Sequence, residues 1–148
     1  MKTLCVILVL AISNLASAAD LLDIQFKGTT TIGTEKVDCT VKTIPYEDHA
    51  YLEYENDKIF VPVRFDIKAG STQKRALGTF KKSVPGSGGF GSYTPAEKSK
   101  GEIVITLEKD DRYLAKITAE NCVERTFLNK GLGIFKCQTT KQTCTQPK

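Results

Sequence analysis

The chain has 148 residues, 21 Lys and Arg against 17 Asp and Glu for a formal net charge of +4, and 41% hydrophobic residues. That length suits one domain with its own core, and so mild a basicity singles out no partner. A membrane-spanning helix needs about 20 apolar residues, and nothing after the N-terminal segment offers such a run.

The chain begins "MKTLCVILVLAISNLASAAD", where Lys2 precedes an apolar stretch from Leu4 to Ile12 and the small triplet Ala16-Ser17-Ala18. This is the plan of a secretory signal peptide over 1–18, cleaved after Ala18 or Ala19. The expectation is a secreted or periplasmic mature chain, 19–148, with no transmembrane segment. Without Cys5 four cysteines remain, Cys39, Cys122, Cys137 and Cys144, an even number that reads as two disulfides in an exported protein. Three pairings are open. Cys39–Cys122 with Cys137–Cys144 is the favoured one, because it ties an early strand to a late one and pins the tail. No pair has zinc-knuckle spacing, so no metal site is expected.

Alternation dominates from residue 20 onward. "LLDIQFKGTTTI" puts Leu22, Ile24, Phe26 and Ile32 on one side, and "KVDCTVKT" continues with Val37, Cys39 and Val41. "AYLEYE" and "KIFVPVRFDI" flank the turn Asn56-Asp57, with Pro62 marking an edge or a bulge. "EIVITLEK" and "RYLAKITA" flank Asp110-Asp111, and "VERTFL" and "GIFKCQ" flank Asn129-Lys130-Gly131, a three-residue hairpin loop. The fold class is therefore all-β, a single antiparallel sandwich or small β-barrel of about eight strands stapled by disulfides. An outer-membrane barrel would need apolar outward positions, whereas Asp23, Lys27, Glu53, Glu108 and Lys116 stand there.

The segment near 68–100 breaks the pattern: "RALGTFKKS" reads as one short strand or a turn of helix, and the remainder as a long glycine-rich loop. Within it, "PGSGGFGSYTP" fits G-x-G-x-x-G at Gly86, Gly88 and Gly91. A dinucleotide turn must deliver the phosphate to a helix N-terminus, and Pro95 and Gly101 leave no room for that helix. No lysine-serine or lysine-threonine directly follows the glycines, as a P-loop requires. No cofactor is expected.

Charge is segregated. From Tyr46 to Asp57 there are acids and no Lys or Arg, while from Ile67 to Ala96 there are Lys68, Lys74, Arg75, Lys81 and Lys82 and no acid. The tail from Arg125 onward repeats the basic bias. The candidate binding residues are these five cations, steering, with Phe90 and Tyr93 as anchors on the loop. An anionic envelope polymer or lipid, or a protein, fits such a surface, and no nucleic-acid-binding motif is present.

No catalytic residue is assigned. Glu53 and Glu55 share one strand face, as a glycosidase pair would, but they read as the wet side of an amphipathic strand. His49, the only histidine, has neighbouring Asp48 on the opposite side if the segment is extended, and no nucleophile elbow exists. The functional expectation is a non-catalytic binding or inhibitory module. The alternatives are a hydrolase of envelope carbohydrate, a structural envelope protein without a discrete ligand, and a barrel with a ligand-lined interior.

Overall fold

The structure, a computed structural model, describes residues 22–89 and 91–148. The signal segment with Cys5, and Phe90, fall outside the described residues. The strands are β1 (Gln25–Ile32), β2 (Glu35–Pro45), β3 (Ala50–Asn56), β4 (Val63–Ile67) and β5 (Arg75–Val84), followed by the short β6 (Ser87–Gly89) and β7 (Ser92–Thr94). Then come β8 (Glu97–Leu107), β9 (Tyr113–Phe127) and β10 (Lys130–Thr145). Eight of them close as a barrel in the order β1-β10-β9-β8-β5-β4-β3-β2, while β6 and β7 pair only with each other. Every barrel pair is antiparallel. The fold is thus an up-and-down barrel, the closed one of the two architectures expected.

Alternation decides which side chains go inside. Ile24, Phe26, Val41, Leu52, Phe65, Ile103, Ile105 and Ala115 point inward and form one buried cluster. Above this apolar layer lies a polar one. The Tyr54 hydroxyl donates to Gln142 Oε1 at 2.6 Å, and the Asn56 amide donates to the same two groups at 3.0 and 3.2 Å. Apolar and hydrogen-bonded side chains thus occupy the interior of the ring. Gly78 is a consequence of this packing: a Cβ there would sit 2.7 Å from Phe65 Cβ.

Antiparallel succession puts the β1–β2, β3–β4, β5–β8 and β9–β10 connections at one end of the barrel, which we term the upper end. The ring itself is short. β4 meets β5 only at Asp66↔Thr79 and Ile67↔Gly78, and β1 meets β10 only at Thr29↔Thr145. By contrast β5 pairs with β8 up to Val84↔Glu97, and β9 with β10 up to Phe127↔Lys130. The upper halves of β5, β8, β9 and β10 thus rise above the ring as a four-stranded sheet with water on both sides.

Several expectations are corrected. The disulfides are Cys39–Cys144 and Cys122–Cys137. Cys39 and Cys144 both point into the barrel and meet across β1, whereas Cys122 and Cys137 are directly opposed on β9 and β10. The stretch 68–100, expected as a loop apart from one short strand or helical turn at "RALGTFKKS", is mostly strand: β5, the β6–β7 hairpin and the start of β8. Few apolar residues occur there because that part of the sheet covers no core. Pro62 precedes β4, so it takes no place in the ladder. The β9–β10 turn has two residues, Leu128 and Asn129, rather than three.

Candidate binding surface

The cations singled out by sequence are divided by the fold. Lys74 and Arg75 lie at the lower end, where β5 begins. Lys68 follows β4 but reaches the side of the sheet, lining a groove of about 720 Å³ together with Lys81. This groove runs over the outer faces of β5, β8 and β9. Lys82 has the opposite parity on β5, yet lines the neighbouring depression with Lys81. Tyr93 is at the upper end, on the β6–β7 hairpin.

Two residues missed from sequence complete the surface. Strand register sets Lys81 directly opposite Lys100, and Ser83 opposite Lys98. The acid-free window stops at Ala96, so Lys98 and Lys100 fell just outside it. Their spacing two apart was the available signal, once β5 and β8 are seen as partners. Like charges directly opposed on one sheet face destabilise it. Lys100 is partly offset by Glu120 at 3.1 Å, and Lys98 Nζ stands 4.2 Å from the centre of the Phe135 ring. Among the described residues Lys81 has no ion-pair partner. Acids are present too, since Asp66 and Glu102 line the lower part of the groove and Glu120 stands directly opposite Lys100.

Beside the lysines, Glu120 and the sulfurs of Cys122 and Cys137 lie within 4.8 Å of one another. That grouping resembles a metal triad, but both sulfurs are joined in the disulfide and offer no thiolate.

The glycine motif is a hairpin. β6 and β7 pair through Ser87↔Thr94, Gly88↔Tyr93 and Gly89↔Ser92, and strands rather than a helix lie on either side. Glu124 of β9 fastens it. The Tyr93 hydroxyl donates to Glu124 Oε2 at 2.7 Å, the Ala96 amide donates to the same oxygen at 3.2 Å, and the Gly133 amide donates to Oε1 at 2.8 Å. These donors, Tyr93 first, hold the Glu124 carboxyl below its ordinary range, and the hydrogen bond to that carboxylate raises the Tyr93 phenol. The Tyr93 hydroxyl is thereby committed within the fold.

The acidic hairpin is also rearranged. Glu53 is not on a wet face; it is only 4% exposed. It lies between its cross-strand neighbours Lys42, 3.2 Å away, and Arg64, whose Nε donates at 2.8 Å. Burial pushes its carboxyl up, but the hydrogen bonds and charges of Arg64 and Lys42 outweigh that and leave it lowered. A glycosidase acid needs the reverse. His49 is exposed in the β2–β3 turn, where Nδ1 contacts the Asp48 carboxylate and Nε2 lies 2.7 Å from the Tyr51 hydroxyl. Asp48 reaches the ring because 46–49 is a turn, closed by the Tyr46 amide donating to the His49 carbonyl, and not extended chain.

Compared with known proteins, the chain matches no family model, no curated protein and no solved structure. What the fold and the surface define is an eight-stranded up-and-down barrel with a lysine-bearing sheet above it. Its two disulfides fit an oxidising compartment, and no described helix is long and apolar enough to cross a membrane.

Proposed function

We propose that the protein is a secreted or periplasmic, non-catalytic binding module that takes an acidic polymer along the lysine side of the upper sheet. The observation that carries this reading is Lys81 facing Lys100 at the groove, with Lys68 below and Lys98 above. Folding gains nothing from opposing two lysines, while a chain of sulfates, carboxylates or phosphates would bridge them. Export is supported by the signal-like N-terminus and the disulfides.

The test is retention on dextran sulfate along a salt gradient. Lys81→Gln with Lys100→Gln should weaken binding about tenfold and flatten the salt dependence, since released counterions scale with the cations engaged. Lys27→Gln with Lys116→Gln removes the same charge from the outside of the ring and should change little. Equal losses in the two doubles would reduce the reading to net charge and defeat it.

A further inference from the structure

At the far end of the upper sheet the β9–β10 hairpin exposes side chains that the fold does not use. Phe127 is 65% exposed and Leu128 80%, with Leu132, Ile134 and Val123 also open to solvent. Val123, Phe127 and Leu132 share a shallow groove with Arg125 and Lys136. Lys130 follows the turn, and from Arg125 to the C-terminus there is no acid. The tip is thus apolar at its end with Arg125, Lys130 and Lys136 around it, and the one acid that lines the groove, Glu124, is already engaged by Tyr93, Ala96 and Gly133.

The turn geometry makes the apolar choice more telling. Leu128 and Asn129 both have positive φ, 47° and 57°, as a two-residue hairpin turn of mirror-image type requires. The β1–β2 hairpin turns just as tightly and begins with Gly33 at φ 62°. A leucine is among the worse residues for that conformation and gains no burial from it. Strain held at an exposed apolar tip points to contact with something outside the chain.

We infer that this tip is a docking element for an anionic lipid surface, a role that goes beyond the polymer-binding reading and does not depend on it. Phe127, Leu128 and Leu132 enter the acyl boundary while Arg125, Lys130 and Lys136 meet the headgroups, the division of labour of an interfacial anchor. A bilayer suits the shape. The tip stands at the upper end beside the β6–β7 hairpin, and a fluid slab accepts such a convex end without a matching pocket.

The chain has no tryptophan, so Phe127→Trp gives a sole reporter. On phosphatidylcholine vesicles containing phosphatidylserine, its emission should shift to the blue and be quenched by brominated acyl chains. Phosphatidylcholine alone should give neither effect. Phe127→Ala with Leu128→Ala should weaken flotation with the anionic vesicles by about a hundredfold. Arg125→Gln, Lys130→Gln and Lys136→Gln together should remove most of the remainder. Tyr46→Ala, also an exposed aromatic but at the lower end, should have no effect. A reporter that stays unshifted on anionic vesicles would overturn the inference. So would a blue shift that rises with protein concentration in the absence of lipid, since the tip would then be covering itself against a second copy. Loss of vesicle binding in the Lys81 and Lys100 double, with the tip variants unaffected, would move the lipid contact to the groove and equally overturn it.

Discussion

The closed ring and the sheet above it are continuous through β5, β8, β9 and β10, yet they obey different rules. In the ring, residue type follows position: Ile103, Ile105, Ala115 and Ile117 are inside, while Glu102, Lys116 and Thr118 are out. Its buried charge, Glu53, has two cationic partners. In the upper sheet neither face is buried against a core, so packing does not dictate what stands there. Lysine opposes lysine and a leucine occupies a strained turn. Where burial explains the residues they speak for folding; where it cannot, they become candidates for function.

If stability resides in the ring, the two disulfides should be unequal. Cys39–Cys144 spans 105 residues and holds β2 to β10 beside a seam that carries one ladder pair. Replacing both by Ala should cost about 4–5 kcal/mol on the chain-entropy view. Cys122–Cys137 spans 15 residues already in register in the upper sheet, and its loss should cost about 3 kcal/mol at most. Urea unfolding of the two double variants settles the order, and equal midpoints would erase the distinction between ring and extension.

Next is Gly78→Ala, which adds a methyl inside the ring against Phe65 and Ile103. Overpacking there should cost about 1–3 kcal/mol, while Gly89→Ala in the upper hairpin, where a Cβ would meet nothing within 4 Å, should leave the melting temperature nearly unchanged.

A smaller effect belongs to Glu53. Its folded carboxyl is held below the unfolded value of about 4.3, so its contribution is complete above that value and is lost as pH falls through the folded one. Glu53→Gln should cost about 1–2 kcal/mol at neutral pH, since both cationic partners are partly solvated. The difference from the parent should shrink in acid. A gap that persists below that window would mean that packing, not charge, is what Glu53 supplies.

The ring was legible in the sequence because a core imposes a period of two. Leu22, Ile24 and Phe26, or Leu52 and Tyr54, declare their side without reference to any partner. Closure was not legible. Whether β10 returns to β1 depends on register around the whole ring, and the same unknown misdirected the cysteine pairing. The upper sheet was hidden for the opposite reason: with no buried face it has no alternation to detect, so beyond one short strand or helical turn at "RALGTFKKS" the stretch up to Lys100 reads as loop. Lys98 and Lys100 were visible as residues, but their meeting with Lys81 is a fact of strand pairing. The burial of Glu53 was hidden because its parity is outward, and only the flanking Lys42 and Arg64 cover it.

The slightest effect should come from Glu124, which tests whether the upper sheet is held by local pins rather than by a core. Its carboxylate gathers the Tyr93 hydroxyl and the amides of Ala96 and Gly133, uniting the glycine hairpin, the start of β8 and the irregular part of β10. Glu124→Gln keeps the shape but replaces one acceptor oxygen by a donor, which faces a donor already in place at either position. Global unfolding should be almost unaffected, because none of these groups touches the ring. Amide exchange should nevertheless quicken across 86–96 and at Gly133, while Leu52, Phe65 and Ile103 keep their protection. The same quickening should appear in the parent as acid protonates Glu124, at a pH below the usual carboxylate range because the folded carboxyl is lowered. Exchange that slowed or stayed level in 86–96 would show the hairpin anchored by something other than this carboxylate. Exchange that quickened in the ring as well would show that the two regions unfold as one, and the contrast between them would fail.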